Sequence, residues 1–208
     1  LTPNVFIDAV DAYYQSYRAS THRGIYASAW QATKEFEAVR TKVAAFIDAN
    51  ESEVIFTSGS TASAQLIIAT LEHNLDLREG DEILVTELDH HATLVPLQQL
   101  AKRKKMILKV VPVNDQFQIE ESVFESFVTQ KTKIASLIHG SNVTGTIVSV
   151  KNLVEILRST NAFVIIDAAQ TVGHIPLSFK DLNADALFFS GHKMCGPTGT
   201  GVLYGKEA

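Results

Sequence analysis

With 208 residues, of which 46% are hydrophobic, the chain is long enough to bury a substantial core as one domain. Lys and Arg number 18 against 23 Asp and Glu, and the formal net charge of −5 argues against a nucleic acid or a membrane surface as the main partner. The single cysteine, Cys195, excludes an internal disulfide and fits a reducing compartment.

Two helical patterns open the chain, over Val5–Tyr17 and Ala32–Ile47, each with apolar residues spaced for one helix face. Seven β-rich runs follow, and helical stretches separate most of them. The predicted strands are Val54–Thr57, Glu82–Thr86, Ile107–Val113, Ile134–Ile138, Ala162–Ile166, Ala186–Phe189 and Val202–Tyr204. The predicted helices among them are Thr61–Leu71, Thr93–Lys104, Val123–Thr129 and Val150–Ser159.

This alternation predicts an α/β fold, a three-layer sandwich around a seven-stranded, mostly parallel sheet. Several runs are apolar on both faces, as in Phe163–Ile166, which indicates strands that helices cover on both sides. Only a glycine-rich loop joins the last two strands, and it is too short for a crossover helix. Val202–Tyr204 is therefore predicted to run antiparallel to its neighbours.

A lysine and an aspartate follow two neighbouring predicted strands. Lys193 comes just after Ala186–Phe189, where burial would make its amine a better nucleophile. Asp167 takes the matching position one strand earlier. A lysine that can form an imine, with an acid that can hold a pyridinium nitrogen, is what pyridoxal phosphate requires. Each residue also has a plainer interpretation, as a surface cation and as a helix cap.

Ligands of open α/β sheets bind outside the carboxyl ends of the strands, and three further strand ends carry polar groups. Ser58–Thr61 opens a helix and suits a phosphate, or is a plain helix cap. His90, within Asp89–His91, could stack on a flat cofactor or shuttle protons, or be a solvated histidine. Asn142 could bond a ring hydroxyl or make an Asx turn.

Sequence blocks spread over nearly all 208 positions carry a family resemblance, and the last block is the most specific. They are Thr21–Gly24, Phe56–Thr61, Gly80–Ile83, Asp89–Pro96, Ser141–Thr146, Asp167–Gln170 and Ser190–Lys206. Through them the chain resembles the large domain of the cysteine desulfurases, in the branch that includes the selenocysteine lyases. This branch belongs to the class V aminotransferase group of fold-type I pyridoxal-phosphate enzymes.

The resemblance implies roles for individual residues. Lys193 would bind pyridoxal 5′-phosphate covalently and later move the α-proton, while His90 would stack on the ring and serve in acid–base steps. Asp167 would pair with the pyridinium nitrogen. Gln170 would bond the phenolic oxygen, with Asn142 nearby. The residues expected to hold the phosphate are Ser60, Thr61, Ser190 and His192. No metal site is expected.

The resemblance also implies a homodimeric, cytoplasmic enzyme that releases sulfur from L-cysteine, giving alanine and an enzyme persulfide. The persulfide would pass to a sulfur-acceptor protein for iron–sulfur cluster assembly. Because the chain lacks an initiator methionine and ends just after a predicted strand, we expect residues 1–208 to be a fragment, the cofactor-binding large domain. The sulfur-accepting cysteine and the arginine for the substrate carboxylate would lie in a later, smaller domain. Cys195 is expected to be a small packing residue.

Other functions remain open at this point. Another class V enzyme, an aminotransferase or a kynureninase-like lyase, would share the same cofactor residues. Asp89, His90 and His91 also resemble the motif of manganese-dependent phosphoesterases, although no Asp-x-Asp follows an early strand. A nucleotide-binding Rossmann domain is disfavoured because no Gly-x-Gly-x-x-Gly follows the first strand. A non-enzymatic interaction fragment is the last alternative.

Overall fold

Seven strands form one mixed sheet at the centre of the structure. The computed structural model describes residues 2–207. In chain order the strands are β1 (Val54–Thr57), β2 (Glu82–Thr86), β3 (Ile107–Val111), β4 (Thr132–Ile138), β5 (Phe163–Asp167), β6 (Ala186–Ser190) and β7 (Gly201–Gly205). Across the sheet they lie in the order β1-β7-β6-β5-β4-β2-β3. The predicted α/β fold is thereby confirmed.

Among these seven strands, β7 runs against the other six. It pairs antiparallel with both β6 and β1, whereas β2–β3, β2–β4, β4–β5 and β5–β6 are parallel pairs. Only residues 191–200 connect β6 to β7, and so short a loop returns the chain in the opposite direction. Since β1 opposes β7, it points the same way as the remaining strands. Six carboxyl ends therefore lie at one edge of the sheet.

Helices cover both faces of the sheet. In chain order the helices are α1 (Asn4–Ala12), α2 (Ala27–Ile47), α3 (Ser60–Asn74), α4 (His91–Lys104), α5 (Glu121–Phe127), α6 (Val150–Leu157) and α7 (Phe179–Leu182). Helices α2 to α7 make this cover, whereas α1 has no buried residue. The buried core has two parts, one beneath α3 and α4, the other beneath α2, α5, α6 and α7. In β5, Ile165 belongs to the first part and Val164 and Ile166 to the second, because successive strand side chains point to opposite faces.

Helix α2 begins earlier than the predicted Ala32. Ala29, in its first turn, is fully buried. A Cβ built on Gly24 would lie 2.2 Å from the Ala29 Cβ, so the chain before the helix packs closely on it. This contact is made by small residues. The prediction used the spacing of large apolar residues, so it placed the start of the helix too late.

Two further differences concern short segments. The predicted helix Val5–Tyr17 divides into α1 and a π-helical turn over Tyr13–Tyr17. Helix α7 was not predicted, although its cap is recognisable in the sequence: the Ser178 side chain accepts a hydrogen bond from the Asp181 N–H. No helix in residues 2–207 combines the length and the apolarity needed to cross a membrane.

Candidate active site

Polar side chains from five strand ends line one cavity at the carboxyl edge of the sheet. They follow β1, β2, β4, β5 and β6, while β3 lies at the outer edge of the sheet. The lining residues are Ser60, Thr61, His90, Ala92, Ile138, Asn142, Asp167, Ala169, Gln170, Ser190, His192 and Lys193. All nine side chains that the sequence predicts for the site are among them. The role of each stays a prediction.

The turn between β1 and α3, named the anion seat below, brings hydroxyl groups to the N-terminus of a helix. The Ser60 N–H donates to Ser190 Oγ at 2.7 Å, and the two hydroxyl oxygens lie 2.7 Å apart. A Cβ built on Gly201 would lie only 2.5 Å from the Gly59 Cα, so β7 packs its backbone directly against this turn. The first N–H groups of α3 have no partner within the helix and carry its positive dipole end. Hydroxyls and free N–H groups together suit a phosphate.

Asp167, the last residue of β5, places a buried carboxyl at the floor of the cavity. It is 4% exposed, and its Oδ1 accepts from the Ala169 N–H at 2.9 Å. Burial raises the pKa of the Asp167 carboxyl, and the hydrogen bond from the Ala169 N–H and the positive charge of Lys193 oppose that shift. Within residues 2–207 we find no other hydrogen bond to this carboxyl, so a cationic N–H donor in the cavity would stabilise its ionised form.

Lys193 lies in a compact 3₁₀ turn, Gly191–Met194, that follows β6. The Gly191 N–H donates to the Thr200 carbonyl at 2.9 Å, and the Gly196 N–H donates back to the Gly191 carbonyl at 2.8 Å. A side chain at Gly191 would collide with Thr200 Oγ1, which a built Cβ approaches to 2.2 Å. Glycine at this position therefore lets the loop close and hold Lys193 at the cavity.

Two expectations about this loop are wrong. Lys193 is exposed, so the strand end does not bury its amine as predicted. The 3₁₀ turn carries the side chain beyond the end of the sheet, where residues 2–207 leave it in contact with solvent. Cys195 is also exposed, and its backbone is left-handed with φ 67°, so it is not the small packing residue that the sequence suggested. It is not part of the cavity lining.

His90 caps the N-terminus of α4. Its ring Nδ1 accepts a hydrogen bond from the Ala92 N–H at 3.2 Å. A neutral imidazole that accepts at Nδ1 carries its proton on Nε2. His90 therefore offers a ring N–H as a donor in this arrangement.

The loop carrying Asn142 is tied to the loop carrying Gln170 by two residues that the sequence analysis missed. His139 Nδ1 lies 2.9 Å from Thr171 Oγ1, and the His139 N–H donates to the Asp167 carbonyl at 2.9 Å. Burial lowers the pKa of the His139 imidazole, which favours its neutral, hydrogen-bonding form. His139 could have been found from its position in the sequence, because it directly follows a predicted strand, as Asp167 does.

Asp89, which the phosphoesterase alternative needs as a metal ligand, is engaged elsewhere. Its carboxyl accepts hydrogen bonds from Thr86 and Ser136. Burial is the main cause that raises the pKa of Asp89 to about 7, and the charge of Asp167 adds to it. Across residues 2–207 no group of three His, Cys, Asp or Glu side chains could hold a metal ion. The structure thus offers that alternative no ligand set.

A larger cavity of about 630 Å³ lies between α2 and the sheet. Its lining is almost entirely apolar, with Phe36, Phe46, Phe56 and Val202 among its walls. Lys42 is the titratable side chain of this lining. Such a surface offers no convergent set of polar groups, so we place the candidate active site in the polar cavity.

Comparison with known proteins agrees with this placement. The sequence model of the family described as "Aminotransferase class-V" matches residues 1–208. A probable cysteine desulfurase of Halalkalibacterium halodurans is 40% identical over 207 residues, which are 99% of this chain and 51% of that protein.

Two solved structures are similar in fold. The apo structure of cysteine desulfurase from Thermococcus onnurineus NA1 superposes with a TM-score of 0.94 at 38% identity, covering 100% of this chain and 51% of that one. The cysteine desulfurase CsdA of Escherichia coli, in an S-sulfonic acid form, gives 0.89 at 33% identity, covering 99% and 52%. The chain thus spans about half the length of the curated relative and of both solved structures.

Proposed function

Because the chain belongs to the class V aminotransferase family, we propose that it forms the cofactor-binding large domain of a pyridoxal-phosphate-dependent cysteine desulfurase. The observation that carries the proposal is the convergence of nine polar side chains on one cavity. Similarity to cysteine desulfurases along 99–100% of the chain supports the choice of reaction. The relatives extend about as far again, and we propose that this further part supplies the sulfur-accepting cysteine and the carboxylate-binding arginine.

The residues present fit pyridoxal phosphate at each of its polar ends. The anion seat at Ser60 and Ser190 offers hydroxyls and helix N–H groups to the phosphate. The buried carboxyl of Asp167 lacks a cationic partner that the ring N–H would provide. Lys193 presents a solvent-accessible primary amine to the same cavity. The anion seat, the buried acid and the amine therefore match the phosphate, the ring nitrogen and the aldehyde carbon of this cofactor.

When bound, pyridoxal phosphate supplies an electron sink for negative charge at the α-carbon of the substrate. Asp167 would hold the ring nitrogen in its protonated state by accepting its N–H, a preorganised electrostatic contribution. Lys193 Nζ would take the α-proton and return it to the product. His90 would orient the ring with its imidazole and donate from Nε2, while Gln170 and Asn142 would bond the ring oxygen.

The proposed reaction moves sulfur from L-cysteine to an enzyme thiol, which leaves alanine and a persulfide. We do not assign that thiol to Cys195, which is exposed and lies outside the cavity lining. We further propose a cytoplasmic homodimer that passes the persulfide to an acceptor protein for iron–sulfur cluster assembly. Ile25, Tyr26 and Trp30 are exposed apolar residues close together in sequence, which supports a protein-covered surface there.

The test uses the full-length gene product with pyridoxal phosphate and L-cysteine. We expect alanine in stoichiometric excess over enzyme, together with sulfide when a thiol reductant is present. The Lys193→Ala variant should form no alanine, and the matched variant Lys42→Ala, in the apolar groove, should match the wild type. Pyruvate with ammonia, or amino transfer to a keto acid, would contradict the proposal and favour a lyase or an aminotransferase.

Borohydride reduction of the same preparation checks the lysine itself. We expect the reduced cofactor on the peptide that contains Lys193, and on that peptide in Lys42→Ala as well. A tag on any other lysine would overturn the assignment. The 208-residue chain assayed alone should form no alanine from cysteine, since on this proposal it lacks the sulfur acceptor.

A further inference from the structure

A buried carboxylate ties the turn after β2 to the neighbouring strand β4. Asp89 Oδ2 accepts from the Thr86 N–H at 2.6 Å and from the Thr86 hydroxyl at 2.9 Å, and its Oδ1 accepts from the Ser136 hydroxyl at 3.1 Å. All three residues are buried, and Asp89 itself is 8% exposed. Both carboxylate oxygens thus have donors from protein groups, and the turn between Thr86 and Asp89 is fixed to the sheet on two sides.

The residue that follows this turn is His90. Its ring is exposed and meets the ring of its chain neighbour His91 edge to face, with centroids 5.6 Å apart. The hydrogen bond found for the ring within residues 2–207 is the one that Nδ1 accepts from the Ala92 N–H. The backbone carbonyl of His90 accepts from the N–H groups of Thr93 and Leu94, which fixes the peptide to α4. The position of the ring therefore depends on its backbone, which α4 holds on one side and the Asp89 turn on the other.

We propose that Asp89 is a positioning residue for His90, which it acts on by holding the backbone of the turn rather than by touching the cofactor. The inference rests on the proposed function, in which His90 contacts the pyridoxal ring. A carboxylate that collects three donors from two strands at the base of the turn gives His90 a single backbone placement. Without it, the Thr86 N–H and two hydroxyls would be left buried without an acceptor, and the turn would rearrange to satisfy them.

A through-space effect of the Asp89 charge on Asp167 is the competing explanation. Asparagine separates the two, because it has the shape of aspartate without the charge. In Asp89→Asn the amide oxygen can accept from Thr86, and the amide N–H can donate to Ser136 Oγ, since a hydroxyl also accepts. Asp89→Ala removes every contact. Geometry predicts that only the alanine variant is defective, whereas a charge effect predicts that both are.

The experiment compares the full-length wild type with Asp89→Ala, Asp89→Asn and the control Glu82→Ala. Glu82, at the opposite end of β2, is also a buried carboxylate, 6% exposed, that accepts from a hydroxyl, Thr129 Oγ1, at 2.7 Å. Three quantities are measured: the ¹⁵N ring resonances of His90 in cofactor-free protein, the affinity for pyridoxal phosphate by absorbance titration, and the thermal unfolding temperature. His90→Gln assigns the ring signals.

In Asp89→Ala we expect the Nδ1 and Nε2 resonances of His90 to move toward each other as both tautomers become populated, and the affinity for pyridoxal phosphate to fall about tenfold, as loss of a well-made polar contact would give. In Asp89→Asn the His90 resonances should stay at their wild-type positions, and the affinity for pyridoxal phosphate should stay within about twofold of the wild type. Glu82→Ala should lower the unfolding temperature and leave the ring signals and the affinity unchanged.

Unchanged His90 resonances in Asp89→Ala would overturn the proposal, and so would an asparagine variant as defective as the alanine variant. If Asp89→Ala does not fold, Ser136→Ala replaces it. That variant removes one of the three donors and should shift the ring resonances in the same direction by less, and no shift would count against the proposal. The ring signals are read without cofactor or cysteine. A wild type that does not desulfurate cysteine would therefore contradict the proposed function alone.

Discussion

At the scale of single residues, Asp167 and Lys193 differ in solvent exposure, since the carboxyl is buried and the lysine is exposed. Asp167 is 4% exposed at the end of β5, and burial raises the pKa of its carboxyl. Lys193 is exposed on a turn beyond the end of β6. The acid is therefore preorganised in a low-dielectric position, where its charge acts strongly on a partner, and the amine is accessible for reaction.

Replacing Asp167 with asparagine should separate its function from its structure. Asp167→Asn keeps the size of the side chain and removes a charge that burial disfavours, so we expect a melting temperature at or above that of the wild type. Turnover of cysteine should fall roughly 10²–10³-fold, the usual range for losing one preorganised electrostatic group. Steady-state kinetics and thermal unfolding of the full-length protein measure the two effects. Turnover within threefold of the wild type, measured against a cofactor-saturated sample, would rule out the assigned role.

At the scale of elements, the contact between β7 and the β1–α3 turn decides the shape of the anion seat. Gly201 and Gly59 approach with their backbones in contact, and Ser190, at the end of β6, then reaches the Ser60 N–H. The antiparallel strand β7 sits between β1 and β6, so it supports both halves of the seat. Strand β7 contributes no residue to the cavity lining, yet its packing sets the position of the anion seat.

Gly201→Ala should disrupt this seat. Its Cβ would lie 2.5 Å from Gly59 Cα and 2.7 Å from Gly59 N, and backbone atoms cannot give way as a side-chain end can. We expect a loss of about 1–3 kcal/mol in the free energy of unfolding, as for overpacking, and weaker binding of pyridoxal phosphate. Gly205→Ala, at the other end of β7, is the control, since nothing lies within 4 Å of its built Cβ. Equal behaviour of the two variants would refute this account.

At the scale of the whole molecule, Asp89 makes the stability of the fold depend on pH. Its pKa is about 7 in the folded chain, chiefly because it is buried, against the ordinary value of 3.8 for an aspartate. Below pH 3.8 both states are protonated. Between that value and about 7 the unfolded chain releases the proton while the folded chain keeps it, so the contribution of this carboxyl to stability falls as pH rises.

Asp89→Asn lacks this titration. We therefore expect its free energy of unfolding, relative to the wild type, to increase as the pH is raised from about 4 to about 8, by an amount on the order of 2–4 kcal/mol. Urea unfolding of the cofactor-free, full-length proteins at several pH values measures the difference. Asp167 is present in both proteins, and because its charge adds to the raised pKa of Asp89, the difference between them includes the interaction of the two carboxyls. A difference that stays constant over this range would contradict the raised pKa.

The sequence alone predicts the succession of the seven strands along the chain and the polar side chains that line one cavity, whose roles stay predictions. Runs such as Phe163–Ile166, apolar on both faces, can only be satisfied between two helix layers, and the short link before Val202–Tyr204 can only reverse the chain. Polar residues that follow parallel strands must then share one edge of the sheet. These conclusions depend on periodicity and loop length, which are local properties of the chain.

Which side chains are buried, and which distant groups they contact, follows only from the folded structure. Lys193 is exposed in a four-residue 3₁₀ turn that follows the end of β6, and Cys195, which directly follows this turn, is exposed as well. Asp89 is buried because β2 and β4 are neighbours, which brings Ser136 to its second oxygen although 47 residues separate them. Burial and hydrogen bonds across such a distance depend on strand order and on tight backbone approaches, which no local sequence pattern encodes.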